Sequence, residues 1–199
     1  MLSRSGWALC LLLCFPAAGW AEWQFKPFIG TTLAGSSTFA LTKQAASERH
    51  LAVGGAVTWL GSVFGVEGEV TRVPGFFESN LDESPFGSNL TTLTGAVVVT
   101  LPRKWAGYSL RPYLTAGGGL IRVGIDQQLS GLSVNRTMSA VAFGGGATGF
   151  LTDRVGLNWD LRYFRTVGGE EGTGLSFRSE QVSYWRLSMG MAIRAGRTR

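Results

Sequence analysis

The stretch Val155-Gly-Leu-Asn-Trp-Asp-Leu-Arg-Tyr-Phe-Arg165 alternates without a break. Val155, Leu157, Trp159, Leu161 and Tyr163 stand on one side. Gly156, Asn158, Asp160, Arg162 and Phe164 stand on the other. A period of two is that of a β-strand, whose successive side chains point to opposite faces.

Working outward, the same period recurs along the chain and predicts eight strands, at 24–34, 49–60, 62–73, 90–101, 109–123, 137–151, 155–165 and 183–194. In the third, Phe64, Val66 and Val70 oppose Gly65, Glu67, Glu69 and Thr71. In the fourth, Leu93, Val97, Val99 and Leu101 oppose Thr92, Thr94, Ala96, Val98 and Thr100. In the eighth, Trp185, Leu187, Met189, Met191 and Ile193 oppose Arg186, Ser188, Gly190 and Arg194. The glycine run at 117–119 leaves the register of the fifth strand open. Short connections near 61, 102–108 and 152–154 alternate with long ones at 35–48, 74–89, 124–136 and 166–182. That rhythm is an up-and-down meander.

The non-apolar face decides which side is out. It consists of Gly, Ala and Thr with a few charges, whereas a soluble surface carries far more charge. The apolar face runs through all eight strands. A transmembrane barrel fits this inverted arrangement: lipid wets the apolar face, and small or polar side chains fill the narrow lumen. Closure satisfies every backbone group, which lipid requires. A secreted lipocalin-like barrel is the alternative architecture. The expected fold is therefore an all-β, eight-stranded antiparallel up-and-down transmembrane barrel.

The composition agrees. The chain has 199 residues, with 45% hydrophobic and only 16% charged ones, and 29 glycines. One His and two Cys, Cys10 and Cys14, exclude zinc fingers and disulfide scaffolds. No metal and no cofactor is expected. Residues 1–21 read as a cleaved signal peptide: Arg4, the short apolar run 7–15, then Gly19 and Ala21 at the cleavage site. Cleavage removes both cysteines and Arg4, leaving 17 basic and 13 acidic side chains. The bases are scattered, so no nucleic-acid partner is expected. Residues 22–199 form the expected barrel domain.

Four motifs carry a resemblance: Gly65-Val-Glu67-Gly-Glu69-Val, Pro74-Gly-Phe-Phe77, Arg111-Pro-Tyr113-Leu-Thr-Ala-Gly117 and Asp160-Leu-Arg162-Tyr-Phe-Arg165. In this order they resemble the bacterial outer-membrane β-barrel domain family, similar in architecture to OmpA- and OmpX-type barrels. The resemblance spans 22–199. It implies the outer membrane of a Gram-negative bacterium, with outer-membrane lipid and lipopolysaccharide as partners, and a monomer. Ser188, Gly190 and Ile193 resemble the signal read by the barrel-assembly machinery. Ala195 departs from it, standing where an aromatic is common.

Five inward residues form the candidate site: Glu67, Glu69, Asp160, Arg162 and Arg186. Counted from their turns they reach similar depth, and strands three and seven face each other across the barrel. A buried charge needs a partner, so Arg162 is expected to meet Glu67 or Glu69, with Arg186 as second cation and Arg111 lower down. Such a set is either a structural plug or a gate whose pairs exchange. Catalytic residues are not expected. His50 reads as a solvated rim side chain, and a lipid-modifying reaction around it is the least favoured reading. Trp23, Trp59, Trp105, Tyr113, Trp159, Tyr163 and Trp185 are candidates for interfacial girdles. Phe76, Phe77, Phe86 and Phe177, with Glu170 and Glu171, mark the long loops as the remaining functional surface. They give a structural or surface-interaction role as the leading function, with a narrow gated channel as the alternative.

Overall fold

The computed structural model describes residues 22–37, 49–76, 86–102, 110–127, 133–167 and 182–195. Eight strands follow one another: β1 (Glu22–Ser37), β2 (Leu51–Leu60), β3 (Phe64–Pro74), β4 (Phe86–Thr100), β5 (Leu110–Gln127), β6 (Ser133–Phe150), β7 (Val155–Thr166) and β8 (Val182–Ala195). Each pairs antiparallel with its chain neighbour, and β1 pairs with β8 to close the barrel. No strand edge remains, so every ladder hydrogen bond is made within the wall.

The order and number of strands follow the sequence, but four strands run clearly further than their alternation suggested, β1 spanning Glu22–Ser37 instead of 24–34. β4 starts at Phe86 instead of 90, β5 runs to Gln127 instead of 123, and β6 starts at Ser133 instead of 137. The extensions of β4, β5 and β6 pair with one another, Phe86 with Gln127 and Asp126 with Ser133, and they cut the β5–β6 connection, expected to be long at 124–136, to residues 128–132. Their Gly, Ser and Asn content hid them, because a wall that rises beyond the apolar belt need not alternate. The glycine run causes no slip: Gly117, Gly118 and Gly119 oppose Ala96, Gly95 and Thr94 in unbroken register. One irregularity lies in β1 between Leu33 and Ser36, where Ala34 has φ 48°, the left-handed conformation that a bulge can demand of one residue.

The strands tilt. A row of paired residues starting at Phe25 passes through Val57, Gly68, Gly95, Gly118, Val141, Arg165 and Ser183, and returns to β1 at Ser36. This stagger is what closing eight strands into a cylinder requires.

The outside is apolar. Phe25, Ile29, Val53, Val66, Val70, Leu93, Val97, Leu161, Leu187 and Met189 are each about half exposed and Leu114 more so, while their chain neighbours turn into the lumen. Trp23 lies on this belt near the end formed by the chain termini and short turns. Phe143, Tyr163 and Trp185 pack as a trio near the other end, with ring centroids 5.1–6.3 Å apart. Tyr113 departs from the girdle reading: it is buried in the lumen. It shares the inward parity of Arg111 and Thr115.

Candidate functional site: the barrel lumen

The lumen is filled at three levels, and the sequence dictates each through inward parity. At the level of the short turns, Glu22 receives Arg111 at 3.4 Å and Arg194 at 2.8 Å. The Gln24 amide donates to the same carboxylate at 2.6 Å. Arg111 also donates to the Ser62 carbonyl at 3.1 Å, which ties the β2–β3 turn to the lumen floor. Glu22 is the first residue of β1; it precedes the expected strand start at 24, so alternation assigns it no face.

The middle level holds all five candidate residues. Arg162, from β7, places Nη2 2.5 Å from Glu67 Oε1, Nη1 3.1 Å from Glu69 Oε2 and Nε 2.8 Å from Asp160 Oδ1. Arg186, from β8, grips Glu69 with both terminal nitrogens, at 2.5 and 2.8 Å, and lies 3.4 Å from Asp160. A planar fork on a carboxylate is the strongest geometry available to an ion pair. Lys26 is the sixth member, its Nζ 3.2 Å from Glu67 Oε2. Its parity, opposite to Phe25 and Ile29, turns it inward, but parity alone does not give its depth. Three cations now meet three carboxylates, and the level is neutral.

Neutral groups satisfy what the charges leave over. Thr58 donates to Glu67 at 2.6 Å, and Thr71 to Glu69 at 3.0 Å. The Tyr113 hydroxyl donates to Asp160 at 2.8 Å, and the Thr148 hydroxyl to Asn158 at 2.8 Å. Tyr113 has room only because Gly146 lacks a side chain: a Cβ there would lie against the Trp159 carbonyl and 2.8 Å from the Tyr113 oxygen. Taking ions out of water costs several kcal/mol each, and attraction compensates only with this density of partners.

The third level overturns the expectation of a wholly small and polar lumen. Val73, Phe76, Leu90, Ile121, Val123, Met138, Phe164, Val182 and Tyr184 form a buried apolar cluster at the long-connection end. Tyr184 stacks on Phe164 with centroids 4.9 Å apart and meets Phe76 edge-on at 5.4 Å. Arg186 lies beneath, its guanidinium 4.5 Å from the Phe28 ring and 5.1 Å from Phe164, so cation–π contact joins the ionic level to the cap.

His50 belongs to this cap, not to a solvated rim. It is buried, its ring is 5.5 Å from Phe76, and its backbone N–H donates to Thr32 Oγ1 at 3.1 Å. Among the described residues, no group of three or more His, Cys, Asp or Glu is placed to hold a metal ion. The expected signal peptide, Arg103, Lys104, Trp105, Phe77, Glu170, Glu171 and Phe177 lie outside the described residues, and of Phe86 only the backbone is described.

The outer membrane protein beta-barrel domain family matches residues 7–184.

The chain belongs to this family.

Solved outer-membrane barrels share the fold. Neisserial surface protein A (NspA) superposes with a TM-score of 0.63 at 16% identity, covering 87% of this chain and 97% of that one. The N-terminal barrel domain of Pseudomonas aeruginosa OprF gives 0.54 at 15%, with 87% and 97% covered. OprG from the same organism gives 0.54 at 13%, with 89% and 97% covered. No curated protein sequence matches significantly. Family and fold place this barrel in the Gram-negative outer membrane, with its apolar belt in lipid.

Proposed function

We propose that this protein is a non-conducting outer-membrane barrel whose role is structural or interactive, exercised at the cell surface by the β1–β2, β3–β4, β5–β6 and β7–β8 connections. The observation that carries this reading is the filled lumen. A neutral net of Lys26, Arg162 and Arg186 with Glu67, Glu69 and Asp160 crosses the barrel, and the apolar cap from Val73 to Tyr184 lies above it. An ion passing through would have to strip paired charges and then enter a hydrocarbon-lined section.

The channel alternative has one observation in its favour. Arg162 touches three carboxylates and Asp160 touches two arginines, so partners could exchange without stranding a charge. The cap would still have to open. A lipid-modifying reaction at His50 is disfavoured by its burial against Phe76. The test is liposome swelling with the refolded chain and solutes of graded size. Swelling no faster than in empty liposomes is expected. A rate that rises as the solute shrinks would select the channel.

A further inference from the structure

Above the lipid belt, four strands share one pattern. On β3 the outward residue beyond Val70 is Arg72; on β5, beyond Leu120, it is Arg122; on β7, beyond Tyr163, it is Arg165. Arg49 precedes Leu51 in the same way at the start of β2. All four are exposed. Among the residues whose side chains are described, these are the outward charges at the long-connection end, and every one is cationic. Among the described residues, the exposed charges at the turn end are Asp153 and Arg154, one of each sign.

Two of the arginines form a shelf. Arg72 pairs with Thr91, Thr91 with Arg122, and Arg122 with Thr137. The row spans β3 to β6, and two strand spacings put the backbones of Arg72 and Arg122 about 10 Å apart. Asn89 Oδ1 accepts from Arg72 Nη2 at 3.3 Å, which steadies that guanidinium along the wall. Directly below, the next outward row is Val70, Leu93, Leu120 and Ser139, with Val141 beneath Ser139; all five are exposed. Cationic forks and hydroxyls over an apolar wall match a lipid with an anionic phosphate on its headgroup and acyl chains beneath. Guanidinium is the side chain best suited to phosphate.

We propose that Arg72 and Arg122, with the Thr91 and Thr137 hydroxyls, bind the headgroup phosphate of a phosphorylated lipid in the leaflet at the long-connection end. This rests on the membrane-spanning reading and not on whether the lumen conducts. A cation beside a membrane surface contributes about 1 kcal/mol of attraction to anionic lipid, about fivefold in occupancy. The pair should therefore be worth more than tenfold.

The test uses the full chain refolded into symmetric phosphatidylcholine nanodiscs, so orientation does not matter. They are doped with a phosphorylated lipid A or with its dephosphorylated counterpart, and retained lipid is counted by native mass spectrometry. Wild type should retain the phosphorylated lipid and not the other, with retention falling as salt rises. Arg72→Gln with Arg122→Gln should lose it more than tenfold, while Arg154→Gln in the β6–β7 turn should not change it. Equal retention of both lipids by wild type would overturn the proposal even if the double variant failed to fold. So would equal retention by a folded double variant. Displacement by millimolar inorganic phosphate would reassign the shelf to a soluble anion, against the proposal.

Discussion

Arg162 on β7 and Glu67 on β3 meet across the lumen, Nη2 to Oε1 at 2.5 Å, although 95 residues separate them and their strands do not pair. The contact bridges opposite walls. It links the two halves of the barrel at a level where the ladder hydrogen bonds hold only neighbours. Charge counting across this level gives the first prediction. Arg162→Ala leaves Lys26 and Arg186 against three carboxylates, one negative charge in excess. Adding Glu67→Gln restores neutrality. The single change should cost about 3–5 kcal/mol, and the double variant should be more stable than the single one. Denaturant unfolding in lipid vesicles measures both. A double variant weaker than Arg162→Ala would remove the charge-balance explanation.

The lipid face gives the second. Val97 points outward, between Val66 and Ala116 on the flanking strands. Val97→Arg should lower stability by about 2–4 kcal/mol if it lies near the midplane. Thr94→Arg, inside the lumen, should act instead by crowding Arg162 and Arg186. Equal stability of Val97→Arg and wild type in vesicles would mean that the belt does not face lipid.

Two glycines separate crowding from openness. Gly146→Ala would press on the Tyr113 hydroxyl and weaken its bond to Asp160, a loss of about 1–3 kcal/mol. Gly95 faces outward, and a Cβ there would meet nothing within 4 Å. Gly95→Ala should be neutral or stabilising, by up to about 1 kcal/mol. Matched unfolding curves for the two variants check this, and a reversed order would contradict the packing described.

Much of this was legible because lipid and lumen impose opposite chemistry on alternate residues. β7 shows it in one glance, with Leu157, Trp159 and Leu161 against Asn158, Asp160 and Arg162. The apolar cap was harder to see. Ile121 and Val123 look like ordinary membrane-facing residues, and only the outward parity of Arg122 reveals that they turn inward. Lys26 and Tyr113 carried the right parity, but inclusion in the network depends on depth, which parity alone does not supply. Depth comes from the stagger of the whole barrel, and only the complete set of strand registers fixes it.

Orientation gives a fourth prediction. Trypsin added to intact cells should cut within the long connections, for instance after Arg178, and spare Arg154 in the short β6–β7 turn. Fragment masses after extraction decide it. Cleavage at Arg154 with cells intact would invert the topology.

Single-channel recording asks whether the lumen is sealed. The full chain, refolded and inserted into a planar bilayer, should give no unitary current steps under applied voltage. Reproducible steps from wild type, abolished when the protein is left out, would contradict the plug and make the ion network a gate.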